Sequence, residues 1–377
     1  MQFRDLGAQY RALKQEIDTG IASVLERHDF IQGKSVPQLE SELADYVGVS
    51  HCVTCANGTD ALTLSLLAWD IGPGDAVFAP DFTFFATVNC AMLCGASPVL
   101  VDIDPVTFNI SPVALEQAIL DTLREGKLRP RVIIPVDLFG QPADYANIRK
   151  IASHYGLLIL EDGAQGFGGA IGEQRACSFG DIGTTSFFPA KPLGCYGDGG
   201  AIFTNNADWA ARLTSLRAQG RSPEDKYDNR EKGLNSRLDT LQAAILLPKL
   251  HALQSYELVT INRAADWYAQ RLHNAVDTPT VLEGYYSSWA QYTILLPEPS
   301  LRGGLQAFLK NRGIPTMIYY PRGMHQQSAV RGRCFDKGSF PVTERVVQVC
   351  LSLPLHPYMK EADVEQVASA ILEYLSE

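Results

Sequence analysis

Between about residues 50 and 220, short apolar runs alternate with longer stretches in which apolar positions recur every three or four residues. The short runs fall at 51–55 (HCVTC), 75–79 (DAVFA), 97–102 (SPVLVD), 131–136 (RVIIPV), 157–162 (LLILED), 184–188 (TTSFF) and 200–204 (GAIFT). Runs of that length bounded by Gly, Pro, Asp and Asn read as strands, and the stretches between them as amphipathic helices. The alternation predicts an α/β fold, a mostly parallel sheet covered by helices, with ligands at the C-terminal ends of its strands. After Arg237 a long helical pattern begins, and Pro248 inside it should end or kink the helix. Beyond it, AQYTILL, PTMIYYP and helical stretches near 301–312 and 361–376 predict a smaller C-terminal α/β domain. The expected division is a large domain over 1–250 and a small one over 251–377.

Length and composition agree with that division. The 377 residues exceed the ~250–300 at which a single core stops growing. With 46% hydrophobic and 20% charged residues, the chain has the balance of a globular protein rather than a disordered one. A net charge of -10 argues against a broad nucleic-acid or anionic-membrane surface, so an acidic substrate would need a local basic pocket. No apolar run approaches the ~18 residues of a membrane span, and the first residues, MQFRDLGAQYRALKQEID, are too polar for a secretory signal. The expected location is the cytoplasm. The eight cysteines lie mostly in apolar runs and read as buried thiols. Cys52-x-x-Cys55 has no second pair to complete a zinc site, and no metal is expected.

Three segments carry chemistry. In TTSFFPAKPLGCYGDGG, Lys191 follows an apolar strand and precedes a run of glycines. A partly desolvated setting lowers an amine's pKa and makes it a nucleophile or proton shuttle, as a Schiff-base lysine requires; an ordinary loop lysine is the alternative. In LLILEDGAQ, a buried-strand pattern ends in Asp162. A carboxylate there would keep the pyridine nitrogen of pyridoxal phosphate protonated, which the cofactor needs as an electron sink. Side chains alternate along a strand, so Glu161 should turn to the loop side or solvent. Gln165 is placed to hydrogen-bond the ring hydroxyl, while a plain turn cap at Asp162 is the competing reading. In CANGTDAL, a strand, Gly58 and a helix start expose backbone N–H groups to a phosphate, with Thr59 adding a hydroxyl and Ser186 a second one; simple N-capping explains the segment too. Phe84 could stack on the ring or belong to the core.

Together these segments resemble the DegT/DnrJ/EryC1 family of sugar aminotransferases, which are fold type I (aspartate-aminotransferase-like) enzymes that use pyridoxal 5'-phosphate. The resemblance spans FRDLGAQY, CANGTDAL, GPGDAVFAPDFTFFAT, PVDLFGQPAD, ILEDGAQGFG, SFFPAKPLGCYGDGGAIFTN and LNSRLDTLQAAILLPKL, nearly the whole chain. It implies that Lys191 carries the cofactor and moves protons, that Asp162 faces the pyridinium, Gln165 the ring hydroxyl and Phe84 the ring face, and that Gly58, Thr59 and Ser186 hold the phosphate. It further implies a homodimer in which Asn235 reaches the neighbouring subunit's phosphate site. The substrates would be glutamate and a nucleotide-linked keto sugar. The wording around Lys191 and Asn235 is similar to that of enzymes aminating a UDP-linked 3-keto-N-acetylglucosaminuronate for cell-surface polysaccharide, where Arg237 would face the sugar carboxylate and Tyr320 and His325 the substrate.

The chain departs from that pattern at Tyr319, where the family usually has histidine, and at Arg322-Gly323, which replace an apolar-Pro pair. The pocket wall, and with it the choice of sugar, is what these changes touch. Three rivals remain. Dehydratases of the same family carry histidine where this chain has Lys191. A non-catalytic regulatory protein would have no use for Lys191 and Asp162 together. A dinucleotide-binding dehydrogenase would need a G-x-G-x-x-G after its first strand, which is missing here.

Overall fold

A computed structural model describes residues 1–225, 227–332 and 338–376. Helices α1 (Leu6–Ala12), α2 (Lys14–Arg27) and α3 (Ser35–Val47) lead into β1 (His51–Cys55) and α4 (Gly58–Ala68). Then come β2 (Asp75–Pro80), α5 (Ala86–Leu93), β3 (Ser97–Val101), α6 (Pro112–Glu125), β4 (Arg129–Ile133), α7 (Tyr145–Tyr155) and β5 (Leu158–Asp162). The short strands β6 (Ala170–Ile171) and β7 (Gln174–Arg175) precede β8 (Ile182–Ser186), β9 (Gly200–Thr204) and α8 (Ala207–Leu216). The C-terminal part holds α9 (Thr240–Ala252), α10 (Leu258–Leu272), β10 (Tyr285–Tyr286), β11 (Tyr292–Leu295), α11 (Pro299–Asn311), α12 (Pro341–Val349), β12 (Cys350–Leu353) and α13 (Glu361–Ser376).

Seven strands form the main sheet in the order β1-β9-β8-β5-β4-β2-β3, and β9 is the one that runs against its neighbours. The expected largely parallel sheet is present. The continuous apolar runs exist because both faces are covered. Val77, Ala79 and Val132 enter one core with α4 and α5, while Ala76, Phe78 and Ile133, one residue out of phase, enter another with α6 and α7. The β1, β2, β5 and β8 ends therefore open on one edge of the sheet, and the loops that follow them meet there.

A third core is built from α10, α11 and α13 over the antiparallel pair β11–β12, with Tyr268, Tyr292, Leu305 and Ile371 buried in it. The segment PTMIYYP, read from sequence as part of this unit, joins it through Met317, which bridges Ser352, and Ile318, which packs on its core; Tyr319 and Tyr320 instead line the cavity described below. The partner strand β12 had no separate sequence signal, since its four residues directly follow α12.

Pro248 neither ends nor breaks its helix: α9 runs through it to Ala252. Its ring removes one donor, and the carbonyl left free on Ala244 lies against α2, where a Cβ at Gly20 would come within 3.1 Å of it. Packing of α2 and α3 on α9 overrides the local preference. The irregularity comes five residues later, as a π turn over Leu253–Glu257 before α10. Among the described residues no helix is long and apolar enough to cross a membrane.

Candidate active site

The loops after β1, β2, β5 and β8 enclose a cavity of about 650 Å³, within the range of cofactor and substrate sites. Of the residues singled out in the sequence, Gly58, Thr59, Phe84, Asp162, Gln165, Ser186, Lys191 and Tyr320 all line it, although they span more than 260 positions of chain. The Asp and Lys face each other across the sheet edge, close enough for the Asp162 carboxylate to stabilise the charged form of Lys191.

Helix α4 begins at Gly58 because Asn57, extended at φ -167°, accepts a hydrogen bond from the Asp60 N–H at 2.8 Å. The capping reading is thus correct, and it leaves the N–H groups of Gly58 and Thr59 free of partners within the helix, pointing at the cavity with the positive end of the helix dipole. Gly58 also has a steric reason. A Cβ there would lie 2.7 Å from Ser186 Cβ, so only glycine lets the β8 hydroxyl come so near the start of α4. Free N–H groups and a hydroxyl around a space no Cβ fills make a cradle suited to a phosphate.

Asp162 ends β5 with only 5% of its surface exposed. Thr87 Oγ1 donates to one carboxylate oxygen at 2.8 Å, and the Ala164 N–H to the other at 3.2 Å. Burial raises its pKa, while Thr87, Lys191 and Ala164 oppose the rise. Held by both donors, the carboxylate is fit to keep a proton on a ring nitrogen. Its neighbour Glu161 does not reach the loop side or solvent as alternation suggested. It is fully buried, and the N–H groups of Cys177, Phe179 and Gly180 donate to it, because the turn after β7 folds back over that face of the sheet.

Burial, helped by the charge of Arg4, lowers the Lys191 amine to about 8, while Asp162 pulls the other way. Its loop is held from beneath. The Lys191 N–H donates to Phe188 O at 2.8 Å, and buried Lys249 donates its Nζ to Gly194 O with the ammonium 4.4 Å from the Tyr196 ring centre. Gln165 uses both ends of its amide: Oε1 accepts from the Phe139 N–H at 2.8 Å, and Nε2 donates to Tyr320 Oη at 2.9 Å. Phe84 stands 55% exposed at the mouth, its ring centre 6.2 Å from that of Tyr320.

Three of the singled-out residues are not brought to this cavity within the chain. Asn235 is exposed and Arg237 half-buried, and neither side chain has a hydrogen bond or ion pair among the described residues. His325 is engaged elsewhere: its Nδ1 lies 2.6 Å from Asp81 Oδ2, its N–H donates to Asp81 Oδ1, and its ring stacks on Phe340. Gly323 permits this, since a Cβ there would meet Asp81 Oδ2 at 2.5 Å. Conversely Thr87, Gln291 and Lys249 were not picked out in the sequence. Thr87 lies within the quoted motif PDFTFFAT, but nothing in its local pattern says that it turns toward β5. Cys52 and Cys55 both sit in β1, where burial pushes the Cys55 thiol up to about 12. Among the described residues no group of three or more His, Cys, Asp or Glu is placed to hold a metal ion.

Known proteins are similar to this chain over nearly its full length. An aminotransferase of UDP-2-acetamido-2-deoxy-3-oxo-D-glucuronate from Pseudomonas aeruginosa is 42% identical over 371 residues, covering 98% of this chain and 99% of that one. A pleiotropic regulatory protein from Geobacillus stearothermophilus is 41% identical, over 98% and 97% of the two chains. The crystal structure of a DegT DnrJ EryC1 StrS aminotransferase from Brucella abortus superposes with a TM-score of 0.97 at 45% identity and covers all of both chains. The profile of one family matches residues 11–372, which include every cavity residue named above. With a family match over nearly the whole chain and relatives above 40% identity, this chain belongs to the DegT/DnrJ/EryC1/StrS aminotransferase family.

Proposed function

We propose that this enzyme moves an amino group from glutamate to a 3-keto sugar acid carried on UDP, an N-acetylglucosaminuronate, in the synthesis of cell-surface polysaccharide. The observation that carries the reading is the pairing of a lysine lowered to about 8 with a buried, doubly hydrogen-bonded aspartate in one cavity. The choice of sugar rests on the likeness to the Pseudomonas aeruginosa enzyme.

Pyridoxal phosphate, the cofactor of this family, supplies an electron sink and a carrier for the amino group. The residues present fit it. The Gly58 and Thr59 N–H groups and the Ser186 hydroxyl would hold its phosphate, Asp162 its ring nitrogen, Phe84 and the Gln165–Tyr320 pair its ring. Lys191 Nζ would hold it covalently and, once the donor's amine has displaced it, would be free to take the proton from the donor's α-carbon and to return one to the sugar carbon. An amine near 8 is free for about a tenth of the time at pH 7, against well under a thousandth for an ordinary lysine. Partial desolvation by the walls of the cavity strengthens each of these contacts. A homodimer accounts for the unpartnered Asn235 and Arg237 and for the exposed rings of Phe84, Phe188 and Phe30, which a second subunit would cover. The protein would work in the cytoplasm, where nucleotide sugars are made.

The test is the absorbance spectrum of the protein with pyridoxal phosphate, before and after glutamate, beside Lys191→Ala. A visible band that glutamate converts to a near-ultraviolet one, and that the variant lacks, supports the reading and leads to a panel of UDP- and dTDP-keto sugars. A protein that takes up no cofactor, or ignores every amino donor, refutes it. The likeness to a regulatory protein would then point to a second reading, a sensor that binds without turnover.

A further inference from the structure

The motif FRDLGAQY contains an arginine that none of the roles above uses. Its place is set by its neighbours. Phe3 O accepts from the Leu355 N–H at 3.3 Å, the Phe3 ring meets the edge of Tyr319 at 6.2 Å, and Asp5 caps α1 through the Ala8 N–H at 2.7 Å. Residues 3–5 are thereby pinned between the loop after β12 and the cavity wall. Arg4 Nη1 is buried, and the Arg4 guanidinium has no hydrogen-bond or ion-pair partner among the described residues. Within reach of its charge lie Lys191 and Tyr319, both cavity residues, and also Lys249 and His356.

Glu257, the acid whose charge acts on it, is already engaged: Gln9 Nε2 donates to both of its oxygens, at 2.9 and 3.2 Å, and Tyr358 Oη donates at 2.7 Å. Among the described residues two more buried atoms lack partners: Nδ1 of His356, on which the Arg4 charge acts, and Oε1 of Gln291 in the cavity wall. Natural proteins leave few buried polar atoms unsatisfied, and a guanidinium left so beside two lysines calls for an anion. Its planar fork suits a carboxylate. The net charge of -10 makes such a local basic pocket the more necessary for an acidic substrate.

We infer that Arg4 is a substrate-recognising residue that receives a carboxylate group beside Lys191, either that of the amino donor or that of an acidic keto sugar. The inference rests on the aminotransferase reading and adds a specificity residue to it.

The test uses the cofactor-loaded enzyme and equilibrium binding. One arm titrates the cofactor spectrum with glutarate, a dicarboxylate that cannot react. The other measures UDP-glucuronate against UDP-N-acetylglucosamine by calorimetry. Arg4→Gln should weaken one carboxylate ligand by about 10- to 100-fold, the value of a charge-assisted hydrogen bond, and Arg4→Lys should recover part of it. Weakening of glutarate assigns the donor. Loss of the preference for UDP-glucuronate, with UDP-N-acetylglucosamine unchanged, assigns the sugar. Unchanged binding in both arms overturns the inference. Because the variant could disturb the pinned N-terminus, a second measurement uses the unaltered protein. Modification of Arg4 by phenylglyoxal, read by mass spectrometry of the N-terminal peptide, should be slowed by one of the two ligands, and slowing by neither overturns the inference. The response to glutamate of the unaltered enzyme reports separately on the aminotransferase reading.

Discussion

Gly58→Ala sets two physical effects against each other. Alanine is the better helix former, by about 0.8–1 kcal/mol in a helix interior and less in the first turn, and Gly58 has no left-handed backbone that would forbid it. Against this, the new methyl would sit 2.7 Å from Ser186 Cβ, 3.3 Å from its Oγ and 3.4 Å from its Cα. Ordinary carbon contacts need about 3.5–4.0 Å, so α4 and β8 must part by roughly 1 Å. Overpacking of that kind costs about 1–3 kcal/mol, which exceeds the propensity gain. The clash falls between the two halves of the phosphate cradle, so the shift also misplaces the Gly58 N–H relative to the Ser186 hydroxyl. Losing one charge-assisted hydrogen bond to phosphate is worth about 1.5–3 kcal/mol, or roughly 10- to 100-fold in affinity. The assay is urea denaturation of the cofactor-free variant together with titration by pyridoxal phosphate. Gly303→Ala serves as the control: it lies in α11 with open space around its Cβ and should stabilise by up to about 1 kcal/mol. A Gly58→Ala protein as stable as the parent, with cofactor affinity unchanged within twofold, would refute the argument that this contact builds the site.

Thr87→Val keeps the volume but removes the hydrogen bond to Asp162 Oδ2, so the aspartate's pKa should climb further and the glutamate half-reaction should slow by about 10-fold in stopped-flow absorbance. For Lys191, held near 8 rather than 10.5, the rate of covalent cofactor uptake should rise with pH and level off just above 8; a rise continuing past pH 10 would contradict its setting. Burial raises the carboxyls of both Asp137 and Glu161, Asp137 the further, since three backbone N–H groups favour the charged form of Glu161. Glu161 is raised from 4.5 to about 7, so between those values the folded state binds more protons than the unfolded one, and stability should fall as pH rises through the window. Urea denaturation across pH 4.5–7.5 should show that fall in the parent and a smaller one in Asp137→Asn.

The strands, their order along the chain and most of the cavity were legible in the sequence. Apolar runs five or six residues long record burial on both faces of a sheet, and in such a sheet the residues after each strand must gather along one edge. Lys191, Asp162, Gly58 and Ser186 could be named on that ground, and the spacing of the motifs around them added the family. Local pattern failed where a distant segment decides the outcome. Pro248 stays inside a helix because α2 and α3 hold α9 in place, and Glu161 is buried because the turn after β7 closes over it and supplies three N–H donors. The engagement of His325 by Asp81 and the pinning of Arg4 beside Lys191 join residues more than 180 positions apart. Sequence periodicity states which face a residue occupies; only the folded chain states what waits on the other side of it.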